Sequence, residues 1–302
     1  MNTTFKEWGG SWTEEKLDTF TKYVEAYLTI MNNNRDTYNW KLIYFDGFAG
    51  SGTRLDYVKK ESLLNDLFNN NEIDFDEINL YQGAAERILS IEQRGFDYNY
   101  FIDMDKHASE QLKEHLHIYE KPETKLIFRC SDANTEIKKL ATALKDNCKL
   151  KALVLLDPFG MQVNWNSINE LKGTNTDLWI LIPTGVIVNR LLDKNGKLNH
   201  CNTLCSFFGI SEDEIREYFY KKQVIQTLFG TEERIIKINQ PIKKIAELYI
   251  KQLSTIFEYV TEKPLIMYNR KNVPIFHFAF ASNNRTATKI ASQIIIKKKR
   301  IK

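Results

Sequence analysis

Four short apolar runs, each halted by an acid, constrain this chain more than any other feature. Residues 42–45 stop at Asp46, 98–102 at Asp103, 125–130 at Ser131 and Asp132, and 150–156 at Asp157. A fifth run, 177–182, stops at Pro183 and Thr184. Runs of this length without polar alternation read as strands covered on both faces, the habit of parallel sheets. Stretches with apolar residues at three- and four-residue steps, 83–93, 108–118, 135–147 and 163–171, lie between them and read as helices. Strand and helix in alternation predict a doubly wound α/β sheet. The acids then fall at the carboxyl ends of the strands, where such sheets bind ligands.

The first strand runs into FDGFAGSG, where Asp46 precedes Gly47, Gly50 and Gly52. Glycines let the main chain turn with positive φ and let a ligand approach the backbone, so the segment reads as a nucleotide loop. The competing reading is a tight turn with no ligand. A triphosphate is not expected, because the Gly and Lys-Ser/Thr spacing of a P-loop is missing. At the end of the second strand Asp103, rather than Asp105, is placed to accept from the two hydroxyls of a ribose. Asp132, at the third strand, is placed for a base amino group.

Upstream, 13–31 reads as an amphipathic helix with Thr13 as its cap, followed by a polar connector over 32–39. Residues 53–82 have no sustained period, so the helix at 83 reads as one displaced from the glycine loop by an insertion. Tyr57, Phe68, Phe75 and Tyr81 within it suit either a lid or the anchors of a surface loop. Past Arg190 the pattern changes to helices over 198–264, with Ser211 as a cap and Pro241 opening a long helix that continues to 260. Residues 264–268 and 273–281 read as a terminal hairpin, and 285–296 as a closing helix.

Composition narrows the function classes. The 302 residues are 43% hydrophobic with a net charge of +3, which suits a globular protein and neither requires nor excludes nucleic acid. The basic end, Lys297 to Lys302, reads either as a solvated tail or as a grip on an anionic partner. No apolar run reaches membrane-spanning length, and MNTTFKEWGG lacks the parts of a signal peptide, so a cytoplasmic protein is expected. Cys130 and Cys148 are expected as buried, reduced thiols. His200, Cys201 and Cys205 share helical spacing but lack a fourth ligand nearby, and no metal is expected.

The order of glycine loop, ribose acid, base acid and Asp-Pro-aromatic, closed by a hairpin, resembles the class I S-adenosylmethionine-dependent methyltransferases. More narrowly, FDGFAGSG, LLDPFGMQVNW and DLWILIPTGVIVNRLL closely resemble the three-Cys-motif partner (TcmP) proteins, through most of the chain. That family takes its name from genes it accompanies, so the cysteines here are not the motif. The resemblance implies a Rossmann-like methyltransferase domain over 1–192 and 257–302, with 193–256 as a helical insertion for which a winged-helix-like form is allowed. It implies S-adenosyl-L-methionine as cofactor and allows a protein partner encoded nearby; it supplies no substrate.

On this basis Asp46 and the backbone of Gly47, Phe48, Ala49, Gly50 and Gly52 are expected to hold the methionine portion, Asp103 the ribose and Asp132 the adenine. Asp157-Pro158-Phe159 resembles the acid-Pro-Pro-aromatic signature for exocyclic amines, in which main-chain and carboxyl oxygens accept from the amine and an aromatic ring stacks on a flipped base. Here Phe159 stands where the second proline would be and Gly160 where the aromatic would be, so lining the cofactor pocket is the other reading of Asp157. Asn189 and Arg190 are candidates for polar substrate contacts or ordinary helix surface. Two functions follow: a methyltransferase acting on nucleic acid, or a non-catalytic cofactor- or partner-binding module.

Overall fold

The computed structural model describes residues 11–52, 83–227, 230–269 and 271–299. The 53–82 insertion with its four aromatics, the polar start and the basic residues Arg300 and Lys302 lie outside them. The chain divides into two compact units, Met1–Ala133 and Asn134–Lys302.

The first unit contains α1 (Ser11–Tyr38), β1 (Lys41–Asp46), α2 (Ala84–Leu89), β2 (Tyr98–Asp103), α3 (Lys106–Leu116) and β3 (Lys125–Cys130). Its strands run in the order β3-β2-β1, all parallel, with Tyr44 opposite Asn99 and Asn99 opposite Leu126. Leu17, Phe20, Tyr23, Val24, Tyr27 and Leu28 form the buried stripe of α1. Phe20 lies 6.1 Å from Tyr44, and Phe96 lies 5.8 Å from Tyr27 and 5.7 Å from Tyr44, centroid to centroid, which seats the helix by aromatic contact.

Two expectations at α1 need correction. Thr13 lies inside the helix rather than at its cap, and the polar 32–38 segment is helical rather than a connector. Tertiary contact overrides the weak local propensity there. Arg35, only 2% exposed, donates to Asp97 Oδ2 at 2.6 Å, to the Gly95 carbonyl at 2.8 Å and to Asn32 Oδ1 at 3.0 Å. Asp97 Oδ2 also accepts from the Leu42 amide at 2.7 Å, which ties the last turn of α1 to the first residues of β1. Removing Asp97 would leave a buried guanidinium without its carboxylate, a loss of about 3–5 kcal/mol.

The second unit begins within α4 (Ala133–Asp146) and continues with β4 (Leu150–Leu156), α5 (Trp165–Asn169) and β5 (Thr176–Ile182), which is parallel to β4. A π-helical turn (Thr184–Val188) and one α-turn (Asn189–Leu191) follow. Then come α6 (Cys201–Phe208), α7 (Glu212–Phe219), β6 (Tyr220–Thr227), β7 (Gly230–Lys237) and α8 (Pro241–Leu253). The chain ends with β8 (Tyr259–Val260), β9 (Leu265–Tyr268), β10 (Pro274–Ser282) and α9 (Arg285–Lys299). β10 pairs antiparallel with β5 on one edge and with β9 and β8 on the other. Trp179 of β5 packs against the rings of Phe278 and Phe280 at 4.7 and 5.2 Å. Mostly parallel strands joined through helices, with an antiparallel C-terminal pair, make the fold Rossmann-like, as the sequence pattern predicts.

Within 198–264 three helices form, and Ser211 caps α7 through a capping box with Glu214. The expected helical run nevertheless stops at Phe219, and an antiparallel ribbon, β6–β7, stands where helix was read. Val224-Ile225 and Ile235-Ile236 supply β-branched pairs there, a strand habit that the flanking helix signals obscure. The last long helix ends at Leu253 rather than at 260, giving way to β8. Cys130 and Cys148 are exposed, not buried. Cys130 ends the half-covered strand β3, whose last two residues are both exposed, and Cys148 sits on the turn before β4.

Candidate functional site

In the first unit the loop after β1 is bonded to the end of β2, which is bonded in turn to the residue after β3. Asp46, 3% exposed, accepts from Tyr44 Oη at 3.1 Å and from the Phe48 amide at 3.2 Å. The Ala49 amide donates to the Ile102 carbonyl at 2.9 Å, and the Gly50 amide donates to Asp103 Oδ2 at 2.9 Å. Asp103 Oδ1 accepts from the Asp105 amide at 2.8 Å, and its carbonyl accepts from the Ser131 amide at 3.1 Å. Backbone donors aimed at a carboxylate are the stronger kind of hydrogen bond, so the two acids fix the shape of the loop.

Gly50 and Gly52 adopt φ of +62° and +73°, where a side chain is strained. They differ in surroundings. A Cβ on Gly50 would meet nothing within 4 Å among the described residues, whereas one on Gly52 would lie 2.7 Å from Leu112 Cδ1. Gly52 therefore serves packing, and Gly50 presents bare backbone to open space. Gly83 adjoins this corner: its Cβ would lie 3.4 Å from the Gly52 carbonyl oxygen. Gly52 and Gly83, the residues on either side of 53–82, therefore lie side by side.

Asp105 has a different part from Asp103. It caps α3, accepting from the amides of His107 and Ala108 at 2.9 and 3.2 Å. Between the two acids stands Met104, 74% exposed and absent from the sequence reading. Large apolar side chains at ligand-binding edges suit flat apolar groups, but the exposure of Met104 is a property of the folded chain that the sequence does not disclose. Asp132 is half-buried just past β3.

In the second unit, Asp157 and Phe159 are half-buried and Pro158 buried at the end of β4. The turn after them is held by side-chain amides. Gln162 Oε1 accepts from the Gly160 amide at 2.7 Å; Asn134 Nδ2 donates to the Gln162 carbonyl, and Asn134 Oδ1 accepts from the Asn164 amide, both at 2.8 Å. Ser206 Oγ donates to Asn164 Oδ1 at 2.8 Å, which joins α6 to the same network. Asn134 and Gln162 were missed because polar residues near turns are too common to single out.

Thr184 opens the π-turn with Oγ1 2.8 Å from His277 Nδ1, both side chains buried. The turn leads to half-buried Asn189 and exposed Arg190. π-Turns of this kind are frequent at functional sites. Cys201 and Cys205 lie with sulfurs 3.5 Å apart, and burial, aided by hydrogen bonding to Cys205, pushes the Cys201 thiol up to about 12. No group of three or more His, Cys, Asp or Glu able to hold a metal occurs among the described residues, and none of their helices is long and apolar enough to cross a membrane.

No protein-family profile matches the chain, and no curated protein does. Solved structures give faint likenesses. Trm1 from Pyrococcus horikoshii in complex with S-adenosyl-L-methionine is 10% identical, with a TM-score of 0.35 over 93% of this chain and 71% of that one. The putative methyltransferase yhhF from Escherichia coli is 13% identical, with a TM-score of 0.26 over 72% and 87%. An rRNA methylase from Streptococcus thermophilus is 10% identical, with a TM-score of 0.25 over 66% and 88%. Likenesses this slight support no functional conclusion, so the site is read from its own residues.

Proposed function

We propose that this chain is an S-adenosylmethionine-dependent methyltransferase acting on nucleic acid. The observation that carries the reading is the loop after β1: two buried strand-end carboxylates hold its backbone while Gly50 offers an α-carbon with open space beside it. That cradle fits a ligand with a charged, flexible portion against the main chain and a diol beyond it. The backbone of Gly47, Phe48, Ala49, Gly50 and Gly52 receives the methionine portion, and Asp46 acts through the loop it shapes. Asp103 accepts from the ribose, since each carboxylate oxygen takes more than one donor. Met104 covers a face of the base, and Asp132 accepts its amino group.

When bound, the cofactor supplies an electrophilic methyl on a sulfonium, which a nucleophile takes by in-line displacement. The protein's own work is positioning. Asp157 and the carbonyls around Pro158 accept from the acceptor amine and orient its lone pair, and Phe159 supplies a ring for stacking. Asn189 and Arg190 hold polar parts of the substrate. The catalytic domain comprises 1–192 and 257–302, with 193–256 inserted.

Calorimetry with S-adenosylmethionine, paired with labelled methyl transfer to unfractionated tRNA, rRNA and DNA, tests this reading. Wild-type protein is expected to bind the cofactor and label one nucleic-acid class; Asp157→Ala keeps the binding and loses the label. Cofactor bound with no label in any nucleic acid overturns the nucleic-acid assignment and leaves a binding module or a methyltransferase acting on a protein or small molecule. Absence of cofactor binding overturns the whole.

A further inference from the structure

The β6–β7 ribbon is unusual in its exposure. Lys222, Gln223, Val224, Gln226 and, across from them, 231–235 are exposed, so both faces meet solvent along most of the length. Val224 is 63% exposed and Ile235 45%. An isolated two-stranded ribbon is marginal by itself, so this one depends on its root.

The root is firmly built. Asp193 accepts from the amides of Asn195, Lys197 and Leu198 at 2.8, 3.0 and 2.6 Å, which closes the turn over 193–198. Burial raises the Asp193 pKa, but these backbone donors outweigh it and the net direction is down. Tyr220 Oη donates to the Asp193 carbonyl at 3.0 Å, the Lys237 amide to the Lys194 carbonyl at 3.3 Å, and Arg216 to the Gly196 carbonyl at 2.5 Å. Lys237 Nζ donates to the carbonyls of Asn189 and Leu192, which anchors β7 to the end of the helical turn that follows β5.

Several cations at this root lack a carboxylate partner among the described residues. Arg190, Lys194, Lys197 and Lys221 are exposed, and none has an ion pair among the described residues. Lys222 meets Glu233 at 3.4 Å, with both side chains largely exposed, so the pair is weak. Of the nearby acids, Asp193 is engaged with its turn, Glu212 with Arg216, Glu214 with its cap, Glu232 with Arg234 and Glu233 with Lys222, while Asp213 and Glu217 of α7 are exposed. Arg190 on the α-turn, Lys194 and Lys197 on the 193–198 turn and Lys221 at the start of β6 repel one another and gain no ion-pair partner among the described residues in return, and the partner of Lys222 is a weak one. That arrangement suits an anionic ligand with charges at regular spacing. A second copy of the chain would bring the same cations and be repelled.

We propose that this collar of Arg190, Lys194, Lys197, Lys221 and Lys222 is the docking surface for a phosphodiester backbone, with the ribbon as an arm lying along the strand. The inference rests on the nucleic-acid reading above and adds the surface that grips the substrate. Its contacts are to phosphates, so they position without reading sequence.

Fluorescence anisotropy with labelled single-stranded RNA, an RNA duplex and a DNA duplex between 50 and 200 mM salt tests it, using the full chain without cofactor. Four unpaired cations predict a slope of log affinity on log salt of about −3 for a single strand. The triple variant Lys194→Glu, Lys197→Glu, Lys221→Glu is expected to lose at least tenfold in affinity and to flatten the slope by about 2. A triple of equal charge change elsewhere, Lys138→Glu, Lys172→Glu, Lys251→Glu, is expected to change affinity less than about twofold. Circular dichroism melts check that both triples fold. Equal losses in the two triples, or unchanged binding by the collar variant, overturn the collar while the nucleic-acid reading stands. No binding of any probe by a wild-type protein that binds S-adenosylmethionine overturns that reading and the collar together. A wild-type dimer that the collar variant dissociates, seen by sedimentation, assigns the surface to a second copy and overturns the proposal.

Discussion

Gly50 and Gly185 follow the ends of β1 and β5, and the chain uses glycine at each for an opposite reason. Gly50 has positive φ and open space beside it, so the missing side chain leaves room for something outside the protein. Gly185 has no positive φ, yet a Cβ there would lie 2.0 Å from the Pro274 carbonyl oxygen and 3.0 Å from Ile275 Cα. Its missing side chain is filled by the protein itself, the backbone of β10 lying directly against the π-turn. Glycine at a strand end is thus an ambiguous sign in sequence. The neighbouring chain decides whether it marks a ligand or a packing contact.

The sharpest test is Gly185→Ala. Backbone atoms cannot swing aside as side chains do, so β10 must shift, and a loss of about 3 kcal/mol or more is expected. That corresponds to a melting temperature lower by roughly 6–12 °C, measured by circular dichroism. An unchanged melting temperature would break the contrast, since the π-turn would then have slack. Asp103→Ala comes next. It removes two charge-assisted acceptors, for Gly50 and Asp105, and is expected to destabilise by about 2–3 kcal/mol and to abolish cofactor binding in calorimetry. Asp103→Asn keeps one carbonyl acceptor and should recover part of the stability. Full stability in Asp103→Ala would mean that the loop holds its shape without the acid.

The glycine contrast also explains what the sequence disclosed. Strands, their order of appearance and the acids at their ends were legible because apolar runs and terminal charges are local properties. β1 to β5 and the terminal hairpin appear within one or two residues of their expected bounds. The length of α1 was not legible, because Arg35 stays helical through Asp97, a partner distant in sequence. The ribbon was not legible because Tyr218 to Lys222 fits a helix as well as a strand, and the root contacts that favour pairing come from Asp193, Lys194 and Gly196. At the candidate site the acids were found, but their action was not. Asp46 and Asp103 hold backbone amides, and Met104, Asn134 and Gln162 matter through positions that only the folded chain reveals.

A smaller effect is expected from replacing 53–82 with a linker of about four residues. Gly52 and Gly83 already adjoin, so a short bridge spans the gap without strain. Loop closure becomes easier with length reduced, by at most about 2 kcal/mol. The melting temperature should therefore hold or rise slightly. A marked fall would show that the glycine-loop corner depends on the insertion and is not self-contained, which would narrow the difference between the two strand ends.

Gly50→Ala is expected to have the smallest effect on stability and the most specific effect on function. The left-handed backbone costs an alanine about 1 kcal/mol, and no neighbour is pushed, so the melting temperature should move by only a few degrees. The added methyl, however, projects into the open space proposed here for the cofactor. Affinity for S-adenosylmethionine should fall by more than the stability change explains, tenfold or beyond in calorimetry. Gly185→Ala should show the reverse, a large stability loss with cofactor affinity unchanged in whatever fraction stays folded. Equal affinity in wild type and Gly50→Ala would mean that the space beside Gly50 is not where the cofactor lies, and the open glycine would then be only a turn.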